Sequence, residues 1–244
     1  MRMNEMKHRR PVVAVLAIAM LFLLAEVPLT AQRYVPKPND NGTTLETFKD
    51  TSMLKPPAGA KIAICVFEDL ECPACAASYP IEHQAAAHYN IPIVRRDFPL
   101  PGHIWSFDAA VWARYLQDKV SPKTADDYRS AVFAAQRGIT SKEDMLKFTR
   151  NFFQTHGLQL PFVPDPTGQF KKEVQADKAV GDRLGVEFTP SITVVTQHEW
   201  VHVTETDDLY STIDELMAKV KAEPSATKTV PAKTTPAKKA VQHP

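Results

Sequence analysis

The chain has 244 residues, 44% of them hydrophobic and 23% charged, a composition that supports one globular domain with an ordinary core plus tails. Its formal net charge is +1, but the basic excess lies at the two ends, residues 1–31 and 222–244, which leaves the body at about −4. A body of that sign is a poor polyphosphate binder and argues against nucleic acid as a partner.

The chain opens as an export signal. Basic Lys7-His8-Arg9-Arg10 is followed by an apolar run from Val12 to Ala25, and Leu29-Thr30-Ala31 offers a cleavage site before Gln32. The run of about 14 residues is short of the roughly 20 that a spanning helix needs. Leu29 is larger than cleavage prefers, so an uncleaved N-terminal anchor stays open as the alternative. Either way the body is expected outside the cytoplasm, in the periplasm or an equivalent compartment where disulfides persist. Residues 32–60, rich in Pro, Asn, Gly and Thr, read as an exposed lead-in with at most one short strand.

The fold proper is expected from Lys61. The β-branched run 61–67 predicts a buried central strand, and residues 74–89 predict an alanine-rich helix kinked at Pro80. Residues 91–98 predict a second strand, parallel to the first. From about 103 to 157 the pattern turns helical, with segments at 104–118 and 122–137 and a third opened by Ser141 with Asp144 three residues on. A helix over 167–184 closes at Gly185. Residues 191–195 and 200–203 predict a hairpin, and 207–220 a last amphipathic helix. The Ala/Pro/Thr/Lys tail, 222–244, cannot bury enough apolar surface to fold.

Chemistry concentrates in Cys72-Pro73-Ala74-Cys75. The spacing places Cys72 at a helix N-terminus with Pro73 at the first helical position, where its missing N–H is no loss. Free backbone N–H groups and the helix dipole there favour the thiolate, the nucleophile of disulfide exchange. Cys75, one turn deeper, resolves a mixed disulfide by attacking Cys72. Glu71 is expected to oppose this by setting a negative charge beside the sulfur. Zinc is disfavoured, since a second cysteine pair is absent and His83 and His88 fall outside ligand spacing. A purely structural disulfide would close a very small loop and stabilise little. Cys65, inside an apolar strand, reads as an inert core thiol.

These residues resemble a known family, the DsbA-like thioredoxin-fold oxidoreductases of bacterial cell envelopes. Residues 67–75, with Asp69 three before the first cysteine, resemble the family's strand-to-active-site segment. Phe98-Pro-Leu-Pro-Gly-His103 resembles the approach to its helical insertion, and residues 185–194 resemble the segment holding its cis-proline. The resemblance implies an α/β thioredoxin-like fold over 61–221, with the insertion between a βαβ and a ββα half. It also implies that Pro190 is cis, turning Thr189 toward the cysteines to pair with substrate; an ordinary trans turn is the alternative. The family often has Gly where Phe188 stands, so a bulkier groove rim is expected. Pro73-Ala74 lacks the histidine of the strongest oxidants in the family, which leaves the direction of electron flow open.

Glu68 and Asp69 are each candidates to relay protons to Cys75, or else belong to a solvated strand end. His103 either lines the active face or is an exposed loop residue, and Trp105, Trp112, Phe152 and Phe153 read as core. The activity expected is disulfide formation in exported proteins, by a monomer without cofactor or metal, reoxidised by a membrane partner such as a quinone-linked oxidase. The alternatives are a reductase or isomerase supplied by a reductant donor, and a peptide-binding module without redox turnover.

Overall fold

A computed structural model describes residues 48–222 of the chain. The signal or anchor at 1–31, most of the lead-in, and the tail beyond 222 lie outside the described residues. Among the described residues four strands make one sheet: β1 (Ile62–Glu68), β2 (Ile93–Asp97), β3 (Ser191–Thr196) and β4 (Trp200–Val203), in spatial order β2-β1-β3-β4. β1 pairs parallel with β2 and antiparallel with β3, and β3 pairs antiparallel with β4. Every residue of β1 is buried, as the apolar run 62–67 requires of a strand covered on both faces, and Glu68 at its end is buried with it.

Six α-helices among the described residues surround the sheet: α1 (Pro73–Tyr89), α2 (Ser106–Lys119), α3 (Pro122–Ala135), α4 (Lys142–Thr155), α5 (Gln169–Leu184) and α6 (Leu209–Ala222). β1-α1-β2 is the first half of the fold and β3-β4-α6 the second. Ile64, Val66, Ile192 and Val194 pack on one sheet face against Ala85 of α1 and Leu209, Ile213 and Leu216 of α6. Ala63, Cys65, Phe67 and Val195 pack on the other face against Val180 and Leu184 of α5. This is the α/β thioredoxin-like fold, and α2, α3 and α4 are its helical insertion.

The insertion has its own core, in which Trp105, Trp112, Phe152 and Phe153 all lie, together with Leu116, Tyr128 and Met145. Leu70, Cys72, Cys75 and Tyr79 belong to the same cluster, so the cysteine pair packs against the insertion as well as the sheet. Ser121 and Ser141 cap α3 and α4 by accepting from the backbone N–H of Thr124 and Asp144. α5 approaches the sheet through Gly181: a Cβ there would lie 2.5 Å from the Phe98 ring. It ends on Gly185 at φ 92°, the left-handed turn that glycine adopts without strain.

One expectation is corrected. The lead-in is not wholly exposed: Leu54 is buried in the core beneath α5, and the Lys49 N–H donates to the Leu184 carbonyl at 2.8 Å. Its apolar residues fill a space that the sheet and α5 leave open. α1 runs continuously from Pro73 to Tyr89, with Pro80 exposed within it.

Candidate active site

β1 delivers the chain to a tight turn in which the Cys72 N–H donates to the Asp69 carbonyl at 3.1 Å. Cys72 is the N-cap of α1, in extended backbone conformation (φ −83°, ψ 120°), with Pro73 as the first helical residue. The helix then carries Cys75 inward. Cys72 is 7% exposed and Cys75 1%, and both are free thiols. From the other half of the fold, the peptide bond between Thr189 and Pro190 is cis, and the Thr189 carbonyl accepts from the Cys72 thiol at 3.2 Å. Pro190 therefore lies beside the pair, directly ahead of β3.

The two sulfurs differ sharply in acidity. Cys72 falls from an ordinary 9.0 to about 5: the Cys75 thiol donates to it, overcoming the opposing effect of burial, and the Thr189 side chain and the backbone N–H groups of Cys75 and Ala74 add to the effect. Those two N–H groups belong to the opening turn of α1, where unsatisfied donors and the positive end of the helix dipole favour an anion. Cys75 moves far upward, because it is buried and because it is the donor to an adjacent negative sulfur. Cys65, by contrast, is buried among apolar groups on the α5 face of the sheet and is pushed up to about 11. It is separate from the pair.

The acids around the pair are committed elsewhere. Glu71, expected beside the thiolate, instead accepts from the backbone N–H of Trp105 at 2.8 Å and of Ser106 at 3.0 Å, capping α2. Asp69 is 1% exposed; one carboxylate oxygen accepts from Glu71 N–H and from the Ser106 hydroxyl, the other from Leu100 N–H at 2.6 Å. His103 Nδ1 lies 2.7 Å from that second oxygen, which fixes the ring at the site rather than in a free loop. Only the Asp69 backbone N–H turns toward Cys75, 3.4 Å from its sulfur.

Glu68 is held by two guanidinium groups, Arg129 at 2.8 Å and Arg95 at 3.0 Å. Neither Glu68 nor Asp69 is a solvated strand end. The carboxyl the sequence reading missed is Glu82, 1% exposed, with Oε2 lacking a partner among the described residues. Burial, with the charge of Glu68 nearby, raises it to about 7. The signal was present: Cys75, Ser78, Tyr79 and Glu82 share one buried helical face at i, i+3, i+4 and i+7.

Among the described residues no cluster of three or more His, Cys, Asp or Glu side chains is arranged to hold a metal. A cis-proline facing a strand-to-helix cysteine pair, on a four-stranded sheet with a helical insertion, defines the thioredoxin class of protein. The thioredoxin family model matches residues 51–215, and the chain belongs to that family. Its fold is the DsbA-like form, as three solved structures illustrate. The thiol–disulfide exchange protein alpha-DsbA2 of Wolbachia pipientis is 21% identical, with 66% of this chain and 85% of that one covered at a TM-score of 0.52. ScsC of Proteus mirabilis in a compact conformation is 20% identical, covering 68% and 73% at 0.53. A periplasmic thioredoxin-like protein of Salmonella enterica serovar Typhimurium is 16% identical, covering 67% and 88% at 0.53. No curated protein matches the chain.

Proposed function

We propose that this protein is an exported thiol–disulfide oxidoreductase that introduces disulfides into cysteine-containing proteins outside the cytoplasm. The observation that carries the reading is the asymmetry of the pair: Cys72 is acidic at about 5 while Cys75, one turn deeper, is held as a thiol. A pair whose reduced form is stabilised as a thiolate gains free energy on accepting electrons, which is the property of an oxidant. Values for such motifs run from about 7 in thioredoxin to about 3.5 in DsbA, and this one falls between them.

In the proposed cycle the oxidised pair meets a substrate dithiol. One substrate thiolate attacks Cys72, the Cys72–Cys75 bond breaks, and Cys75 leaves with the electron pair and takes up a proton. The second substrate thiolate attacks the sulfur bound to Cys72, which leaves as thiolate onto the α1 N-terminus. Two electrons have moved, the substrate holds a disulfide, and the enzyme is the dithiol. Thr189 pairs with the substrate backbone, for its N–H makes no backbone hydrogen bond among the described residues. Pro190, having no N–H, leaves no competing donor there. Reoxidation falls to a membrane redox partner, as for other exported pairs poised as oxidants. Export is supported by the N-terminal sequence and by the periplasmic description of the Salmonella structure.

Redox titration of the pair against glutathione tests the direction. The expected potential is well above the roughly −270 mV of thioredoxin; a Cys75→Ala variant carrying thionitrobenzoate in a mixed disulfide on Cys72 should trap reduced, unfolded substrate, whose thiolate attacks Cys72 as thionitrobenzoate leaves with the electron pair. A potential at or below that value overturns the oxidant reading, and failure to trap overturns the exchange chemistry altogether.

A further inference from the structure

A buried imidazole that takes no part in the exchange chemistry lies directly behind the site. Ile192 and Val194 of β3 face α1 and α6, so the alternation of a strand turns Ser191 and Thr193 to the opposite face, beside Phe67 and Cys65 of β1. β4 sets His202 directly across from Thr193, which makes Ser191 its diagonal neighbour. His202 is 3% exposed, and its Nε2 lies 3.2 Å from the Ser191 hydroxyl. Burial lowers His202 to about 4, so the ring is neutral at working pH and bonds Ser191 without burying a charge.

Aromatic rings fix the imidazole in place. Phe48, from the lead-in, lies 4.9 Å from it between ring centroids and packs in turn on Trp200 of β4 at 5.3 Å. The ring of exposed Phe188 lies 6.0 Å away. His202 therefore meets the chain on both sides of the cis peptide, since Phe188 precedes Thr189 and Ser191 follows Pro190. Apart from the contact of Thr189 with Cys72, residues 188–191 make no other side-chain hydrogen bond among the described residues. Between its two flanks Thr189 turns its carbonyl to the Cys72 thiol, and its buried Oγ1, without a partner beside that thiol, is left to donate to the thiolate.

We propose that His202 is a positioning residue of this site: through Ser191 and Phe188 it holds the segment around Pro190 so that Thr189 stays on the Cys72 sulfur. A hydrogen bond from the Thr189 side chain to the charged sulfur is among the causes of the acidity of Cys72, and a segment released from His202 gives up that bond. The consequence for electron transfer rests on the exchange chemistry proposed above, in which a less stabilised thiolate makes a weaker oxidant. His202 touches neither sulfur nor substrate in this role; it acts only by fixing the residues that do.

The test compares His202→Leu, His202→Gln and Ser191→Ala in the full chain. Leucine keeps the apolar contacts and removes the hydrogen bond, glutamine keeps a polar group at similar reach, and Ser191→Ala removes the hydroxyl alone. Each protein is read twice, by the Cys72 titration midpoint from thiolate absorbance and by its urea midpoint. His202→Leu and Ser191→Ala should each raise the Cys72 midpoint by about one pH unit, a 10-fold weaker acid, while His202→Gln stays near the wild type. The double variant His202→Leu, Ser191→Ala should shift no further than either single one, because both cut the same bond. Equilibrium with glutathione should move by the same 10-fold, about 30 mV toward a weaker oxidant. A merely structural role lowers the urea midpoint and leaves Cys72 where it was; an unchanged Cys72 midpoint in either folded variant overturns the proposal, and Ser191→Ala decides it should His202→Leu fail to fold. Shifted midpoints without any substrate captured by the Cys75→Ala protein carrying thionitrobenzoate leave the positioning role standing and overturn the exchange reading instead.

Discussion

The Cys72 thiol donates to the carbonyl of Thr189 across 3.2 Å, joining residues 117 positions apart. That contact brings the two halves of the fold together at one sulfur, and the ionisation of the sulfur is tied to the stability of both. The acidity of Cys72, depressed from 9.0 to about 5, fixes the sign of the pH effect. A group more acidic folded than unfolded stabilises the native state fully above its unfolded value, and the gain is lost as pH falls through its folded value. The reduced protein should exceed Cys72→Ser in urea midpoint by an amount that is largest above about pH 9 and declines to nothing near about pH 5. A gap independent of pH would contradict the assigned acidity.

Asp69 accepts from two backbone N–H groups and one hydroxyl and lies against His103, fixing the strand-to-helix turn to the start of the insertion. Asp69→Ala should destabilise the fold by about 3 kcal/mol, since several buried donors lose their acceptor at once. Chemical denaturation of the reduced protein measures it. A loss under about 1 kcal/mol would show that water replaces the carboxylate at little expense.

Arg129, 2% exposed, bridges Glu68 at 2.8 Å and Asp97 at 2.8 Å and so fastens α3 to the ends of β1 and β2. Arg129→Met leaves two buried carboxylates short of a partner and should remove about 3–5 kcal/mol. The double variant Arg129→Met, Glu68→Gln should recover part of that loss in thermal melts, because one of the stranded charges is gone.

Glu82 gives the opposite sign to Cys72. Its carboxyl is raised from 4.5 to about 7, so its ionisation weakens the native state increasingly as pH rises through that interval. Glu82→Gln should therefore stabilise the protein at about pH 8, by up to roughly 3 kcal/mol, and do little at about pH 4. Denaturation midpoints at the two pH values, wild type against variant, decide it; equal shifts at both would refute the raised pKa.

The parts legible in the sequence were those that depend on neighbours along the chain. The apolar run of β1, the serine caps of α3 and α4, and the position of Cys72 at a helix start follow from local spacing. Pro190 was legible through a resemblance of the segment around it. What escaped is non-local. Glu71 reads as a charge beside a thiolate until α2, 34 residues on, supplies the N–H groups it caps. The clamp of Glu68 by Arg95 and Arg129 joins residues 27 and 61 positions away, with no pattern to pair them beforehand. Leu54 is unremarkable in a proline-rich stretch, and only the gap beneath α5 makes it core.

Cys72 stands at the start of a helix and is also the sulfur proposed to exchange, which couples the two. Were the pair oxidised, α1 would lose the anion at its first turn; on reduction the anion would return. The free energy that sets the direction of exchange therefore resides in the opening turn of one helix, where Pro73 and Ala74 are both exposed. Substitutions at these two solvent-facing positions would alter the surroundings of the Cys72 sulfur while leaving the core contacts as they are. A lineage adapting to a new redox environment could retune this scaffold without refolding it.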